Sequence, residues 1–162
     1  MFETSLLECR VVDLPVIKEF PSSSEDEWQN YRSYGLRSAD AYLLVYDVTT
    51  PSSFRLLQYI REQIAMDRGL SQVPLVVAAN KVDLVNGEMI KEGEKETSRK
   101  SQDISAKVKK CWKLSHIECS AKHNWNVNIV FRELAKEILA ARNGRNGIHG
   151  NKEHNQCCQV CV

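Results

Sequence analysis

The chain has 162 residues, enough for one domain, and a 43% hydrophobic content that can supply a core. Its 22 basic and 21 acidic side chains leave a formal charge of +1, which argues against a general nucleic-acid binder. No apolar run approaches the roughly 20 residues of a membrane helix, and "MFETSLLECRVVDLPV" lacks the basic start and long apolar stretch of a secretory signal.

In chain order, "LLECRVV" (6–12) reads as a strand. "PSSSEDEWQN" (21–30) reads as an exposed loop leading into a turn of helix over 31–36. "AYLLVYDV" (41–48) and "VPLVVAA" (73–79) are near-continuous apolar runs, as expected of strands buried on both faces of a parallel sheet. Between them Thr50 is the expected N-cap, Pro51 the first helical residue and Gly69 the stop. Phe54, Leu57, Ile60 and Ile64 recur on one face of that helix. "VNGEMIKEGEKETSRKSQ" (85–102) is a charged loop before a helix over 103–112. "LSHIECS" (114–120) is a fourth strand candidate. A last helix starts near Val127, turns Val130, Phe131, Leu134 and Ile138 inward, and ends before "RNGRNGIHGNKEHNQ". The expected organisation is one domain over 1–142 and a flexible, cysteine-bearing tail over 143–162. Strands alternating with helices predict an α/β fold with a parallel sheet and right-handed crossovers.

Cys9, Cys111 and Cys119 stand singly and read as small buried hydrophobes in a reducing, cytoplasmic setting. Cys157, Cys158 and Cys161 crowd together in the tail.

In open α/β sheets, ligands bind beyond the carboxyl ends of the strands. Asn80, Lys81 and Asp83 stand just past one strand, and Ser120, Ala121 and Lys122 just past the next. Singly, the first trio is also an ordinary turn and helix cap, and the second a loop of small residues. Together, each after its own strand, they point to one site.

These two motifs, with "LLVYDVTTPSSF" upstream, make residues from about 6 to about 140 resemble the Ras superfamily of small GTPases. NKxD appears as Asn80-Lys81-Val82-Asp83, and SAK as Ser120-Ala121-Lys122. "DLP" followed by a Pro- and Ser-bearing insert is similar to a divergent Ras-like branch, the Ras-like family ten group. The resemblance implies a three-layer, P-loop NTPase-like sheet with helices on both faces. It implies a GTP/GDP-binding signalling switch that uses Mg²⁺ and meets protein effectors and regulators. It also implies that Asp83 accepts from both N1–H and the N2 amine of guanine, a bidentate charge-assisted contact that adenine cannot satisfy. Asn80 would tie the loops together and Lys81 would lay its alkyl stem over the ring. The Ala121 N–H would meet the guanine O6, with Lys122 packing nearby.

The chain departs from that pattern elsewhere. Around its seven glycines no G-x-x-x-x-G-K-[ST] occurs. The sheet is therefore expected to lack the family's first strand and helix, as in an N-terminally truncated form. DxxG reads Asp13-Leu14-Pro15-Val16. Asp13 would approach Mg²⁺ through water, Val16 replaces the glycine at the γ-phosphate, and Ile17 stands where a water-orienting Gln is usual. Impaired hydrolysis is expected and no catalytic residue is assigned. The alternative is a pseudo-GTPase or protein-interaction module that no longer binds nucleotide tightly. Without a strand between them, 6–12 and 41–48 would have unpaired inner edges, which predicts marginal stability.

In "NQCCQVCV" prenylation would need a cysteine four from the end, where Gln159 stands. S-acylation of Cys157, Cys158 or Cys161 would place the chain at the cytoplasmic face of the plasma membrane, with weak basic support from Arg142, Arg145 and Lys152. The alternatives are a metal cluster of these cysteines with His149 and His154, and a tail of unused thiols.

Overall fold

The computed structural model describes residues 8–31, 34–69, 73–85, 101–146 and 158–161, the last four and 145–146 in backbone alone. Residues 6 and 7 of the first expected strand, most of the charged loop (86–100), Cys157, His149 and His154 lie outside the described residues.

The strands are β1 (Cys9–Val12), β2 (Ala41–Asp47), β3 (Leu75–Asn80), β4 (Ser115–Glu118) and β5 (Cys158–Cys161). They form one five-stranded sheet in the order β1-β5-β2-β3-β4, and every pairing is parallel. The helices are α1 (Ser24–Tyr31), α2 (Pro51–Arg68) and α4 (Val127–Asn146), with α3 running over 101–106 and continuing as a π-helical segment, Lys107–Trp112.

Period-two alternation sorts the central strands into two faces. Ala41 and Leu43 of β2 and Val76 and Ala78 of β3 pack on Val130, Leu134 and Ile138 of α4. Tyr42 and Leu75 face the other way, onto Ile60 and Ile64 of α2 with Phe20 and Leu36. Tyr46, Val77 and Ala79 meet Phe54 and Leu57 of α2 and Val108 of α3 on that same side. Helices therefore cover both faces. Val76, Val77 and Ala79 have no exposed surface, which is why β3 reads as an unbroken apolar run.

Several expectations need correction. Helix appears at Ser24–Tyr31 rather than over 31–36. Ser23 Oγ accepts from the Asp26 N–H at 3.0 Å, and acidic residues fill the first turn. Thr50 makes no side-chain cap; its hydroxyl donates to Asp47 Oδ2 at 3.3 Å instead. Pro51 and Gly69 do frame α2, with Gly69 at φ 73° donating its N–H to the Ala65 carbonyl. Phe131 is 39% exposed, because the α4 stripe turns Val130 and Leu134 inward instead. Of the three isolated cysteines only Cys119 is buried; Cys9 and Cys111 are exposed.

The tail also differs. Helix α4 runs on past residue 142 to Asn146, and Cys158–Cys161 forms a strand. That strand lies between β1 and β2, in the gap where unpaired inner edges were expected.

Candidate functional site

The loops after β3 and β4 meet at the carboxyl end of the sheet. Parallel pairing sets Ala79 against Glu118, so the residues that follow both strands emerge side by side. Lys81 turns the chain with a left-handed backbone, φ 67°, an uncommon conformation for a residue with a Cβ. A 3-10 turn, Val82–Leu84, then seats Val82 in the core and lifts Asp83 back toward β4.

Asn80 closes the two loops on each other. Its side-chain oxygen accepts the Lys81 N–H at 2.8 Å and the Ala121 N–H at 3.0 Å. Ser120, buried at 2% exposure, donates its hydroxyl to Asp83 Oδ1 at 2.6 Å and accepts the His123 N–H at 3.3 Å. A two-way backbone bridge between Ser120 and Trp125 sets that turn. Asn124 and Asn126 take positive φ in it, and Asn126 Nδ2 donates to the Glu118 carbonyl at 2.9 Å.

The Ser120 hydrogen bond holds the Asp83 carboxyl below its ordinary value, with smaller help from His123 and Lys122. An ionised carboxylate offers about four acceptor positions. Ser120 takes one, so Asp83 keeps acceptor capacity for an incoming pair of donors.

Lys81 is anchored at its far end. Its Nζ lies 2.8 Å from Asp47 Oδ2, and Asp47 is the register partner of Asn80. Burial works to raise the Asp47 carboxyl, but the Lys81 and Thr49 hydrogen bonds outweigh it and hold it at about 2. Lys81 thus stretches from the β3 loop to the β2 loop, with its stem along the site's edge.

The expected residues therefore divide. Asn80, Lys81, Asp83, Ser120 and Ala121 come together, and Lys122 stands exposed in the same turn. Asp13 does not join them. It follows β1 and lines a cavity of about 410 Å³ with Leu14, Val16, Ile17 and the apolar face of α2. Among the described residues no group of three or more His, Cys, Asp or Glu is placed to hold a metal ion. A hard cation takes oxygen ligands, and the leucine, valine and isoleucine around Asp13 do not supply them. These residues do not fit Mg²⁺. Sequence reasoning missed Asp47 and His123. The pattern "YDVTT", a strand ending on Asp with two hydroxyls after it, is the signal that marks Asp47.

A parallel sheet covered by helices on both faces, with polar loops meeting at the carboxyl ends of adjacent strands, is the Ras-like P-loop GTPase fold class. The Ras family model matches residues 22–140. The chain is 37% identical over 137 residues to human "Ras-like protein family member 10B", covering 83% of this chain and 63% of that one. It is 34% identical over 116 residues to human "Ras-like protein family member 10A", covering 70% and 53%. It is 30% identical over 132 residues to "Ras-like protein rasB" of Dictyostelium discoideum, covering 81% and 62%. This chain belongs to the Ras family of small GTPases, and it spans less than two thirds of the length of these relatives. The family in general binds guanine nucleotide with Mg²⁺ and works through effectors and regulators. Among the described residues no helix is long and apolar enough to cross a membrane.

Proposed function

We propose that this chain reads the guanine base of GTP or GDP with the loops 80–83 and 120–122, as the base-recognition part of a Ras-like signalling switch. One observation carries the reading: a single Asn80 oxygen fixes Lys81 and Ala121 together, while Ser120 aims Asp83. That arrangement leaves the Asp83 acceptors on a polar edge beside the Ala121 N–H, which the guanine carbonyl would have to share with Asn80 or take over from it. Guanine matches it with two donors and one carbonyl. Adenine offers neither the donor pair nor the carbonyl, so it would leave a carboxylate unmatched.

Hydrolysis is weak in this reading. Val16 stands where the family has a glycine beside the γ-phosphate and Ile17 where a water-orienting amide would be needed, and both line an apolar cavity. The same observation favours the second reading, a pseudo-GTPase that acts by binding proteins. Base contacts without phosphate contacts give low affinity. Titration of the full chain with fluorescent GDP, alongside Asp83→Ala, separates the two. Saturable binding lost in Asp83→Ala supports base reading. No binding at high micromolar protein supports the interaction module, and tight binding unchanged by Asp83→Ala removes the loops from the site.

The tail cysteines Cys157, Cys158 and Cys161 are the proposed route to the cytoplasmic face of the plasma membrane by S-acylation. Intact mass before and after hydroxylamine tests it: a chain that loses no mass is not acylated.

A further inference from the structure

Helix α2 turns Phe54, Gln58 and Arg61 onto one face, since residues three and four apart are neighbours on a helix. That face meets the π-helical part of α3. Winding of that kind pairs residues five apart, so Lys107 and Trp112 come round to the same side. Trp112 stacks on Phe54, with ring centroids 5.7 Å apart and 13° between the planes. The Arg61 guanidinium carbon lies 4.7 Å from the Trp112 ring centroid, and Lys107 Nζ lies 5.8 Å from it. Two cations thus share one aromatic ring.

The two charges are left without a counter-ion. Among the described residues no carboxylate forms an ion pair with either. Lys107 Nζ donates to Gln58 Oε1 at 2.9 Å, a neutral acceptor. Gln58 Nε2 donates in turn to Glu62 Oε1 at 3.2 Å, which draws that acid toward the amide. Arg61 Nε is buried and has no acceptor. Burial pushes the Arg61 guanidinium below its ordinary value, and Glu62 offsets only part of that. The surroundings add to the field: residues 103–113 carry Lys107, Lys109, Lys110 and Lys113 against one acid, Asp103, in a chain whose net charge is only +1. Like charges held together beside a desolvated nitrogen cost free energy until an anion meets them.

We propose that Arg61 and Lys107, held against Trp112, are a docking site for a carboxylate in an acidic segment of a partner protein. Stacking on Trp112 fixes the guanidinium plane, so its fork is set for two parallel hydrogen bonds to one carboxylate. Gln58 holds the Lys107 ammonium beside it as a second charge. A narrow acidic segment suits this site better than an anionic membrane. Exposed Glu62 follows Arg61 directly, and exposed Asp103 lies one helical turn before Lys107. A plane of anionic headgroups would meet both acids, while a single carboxylate can reach between the cations. The site uses none of the residues in the loops 80–83 and 120–122, so it stands or falls apart from base reading.

The test is fluorescence anisotropy of a labelled oligoglutamate peptide titrated with the full chain. Saturable binding is expected. Arg61→Gln and Lys107→Gln should each weaken it about tenfold or more, and Arg61→Lys should not restore it, because an ammonium lacks the fork. Arg132→Gln removes the same charge from the exposed side of α4 and should leave binding unchanged. Absence of saturable binding overturns the proposal, as does equal weakening by Arg132→Gln, which would reduce the effect to net charge. Inorganic phosphate bound as tightly as the peptide would make this a small-anion site instead. Phosphatidylserine vesicles bound with the same dependence on Arg61, in place of the peptide, would make it a membrane contact. Circular dichroism checks each variant's fold, and if Arg61→Gln unfolds, Lys107→Gln against Arg132→Gln decides.

Discussion

The side-chain oxygen of Asn80 lies 3.0 Å from the backbone nitrogen of Ala121, 41 residues later in the chain. The same oxygen holds Lys81 N–H at 2.8 Å. This amide, together with the Ser120 hydroxyl on Asp83 Oδ1 at 2.6 Å, holds the β3 and β4 loops as one surface.

Asn80→Ala should separate them. Two backbone donors lose their acceptor, at a cost of about 1–2 kcal/mol. Fluorescent GDP binding should weaken along with the urea midpoint, because the loops that carry Asp83 and Ala121 lose a contact that holds them together. An unchanged midpoint and unchanged affinity would show that the loops are held together by something else.

Asp83→Asn should keep the fold and lose the base. Ser120 can still donate to the amide oxygen, so the 2.6 Å contact has a replacement. The second oxygen becomes a donor facing the donors of guanine. Exchanging a charge-assisted pair for that mismatch should weaken GDP binding by about a hundredfold. Native-like circular dichroism with affinity equal to the parent chain would take Asp83 out of base recognition.

Asp47 makes part of the stability acid-labile. Its carboxyl sits at about 2 in the folded chain against an ordinary 3.8. The folded value is depressed, so its contribution is whole above pH 3.8 and fades as pH falls toward 2. The Lys81 partner is half exposed, and solvent screening reduces the effect to about 1 kcal/mol. Urea titrations at pH 7 and pH 2.5 should show the parent chain losing that much more than Asp47→Asn. Equal losses would mean that the Lys81 contact contributes nothing measurable.

The central sheet and most of the site were legible because one physical cause governs each. Strands β2 and β3 are buried on both faces, so their sequence is apolar at every position and stands out. The two polar clusters follow such strands directly, and parallel pairing brings them together without long-range information. What was hidden depends on pairing at a distance. The neighbour of β1 is β5, nearly 150 positions away in register, Cys9 against Cys158, and four residues of "CQVC" carry no strand signal by themselves. The Lys81–Asp47 pair is hidden for the same reason, since register, not spacing in sequence, sets Asp47 beside Asn80. Cys9 and Cys111 are exposed because a short edge strand and the outer side of α3 leave them there, which residue type alone does not reveal.

Glu27 is the clearest case of a residue whose role the sequence conceals. In "SEDEWQN" it is one acid among three, and the neighbouring Trp28 looks like the residue to bury. The structure does the reverse: Trp28 is 69% exposed and Glu27 is 7% exposed. The carboxylate reaches across to the turn before β2, accepting the Leu36 N–H at 2.5 Å and the Arg37 N–H at 3.3 Å. Both donors would otherwise be unpaired at the edge of the Phe20–Leu36–Tyr42 cluster. Glu27→Ala removes the acceptor and leaves those amides without it, which should cost about 1–3 kcal/mol. Glu27→Gln keeps an acceptor oxygen and should recover about half of that loss. Trp28→Ala should change stability by less than about 0.5 kcal/mol. Chemical denaturation of the three variants orders them, and a Trp28→Ala chain less stable than Glu27→Ala would overturn the assignment.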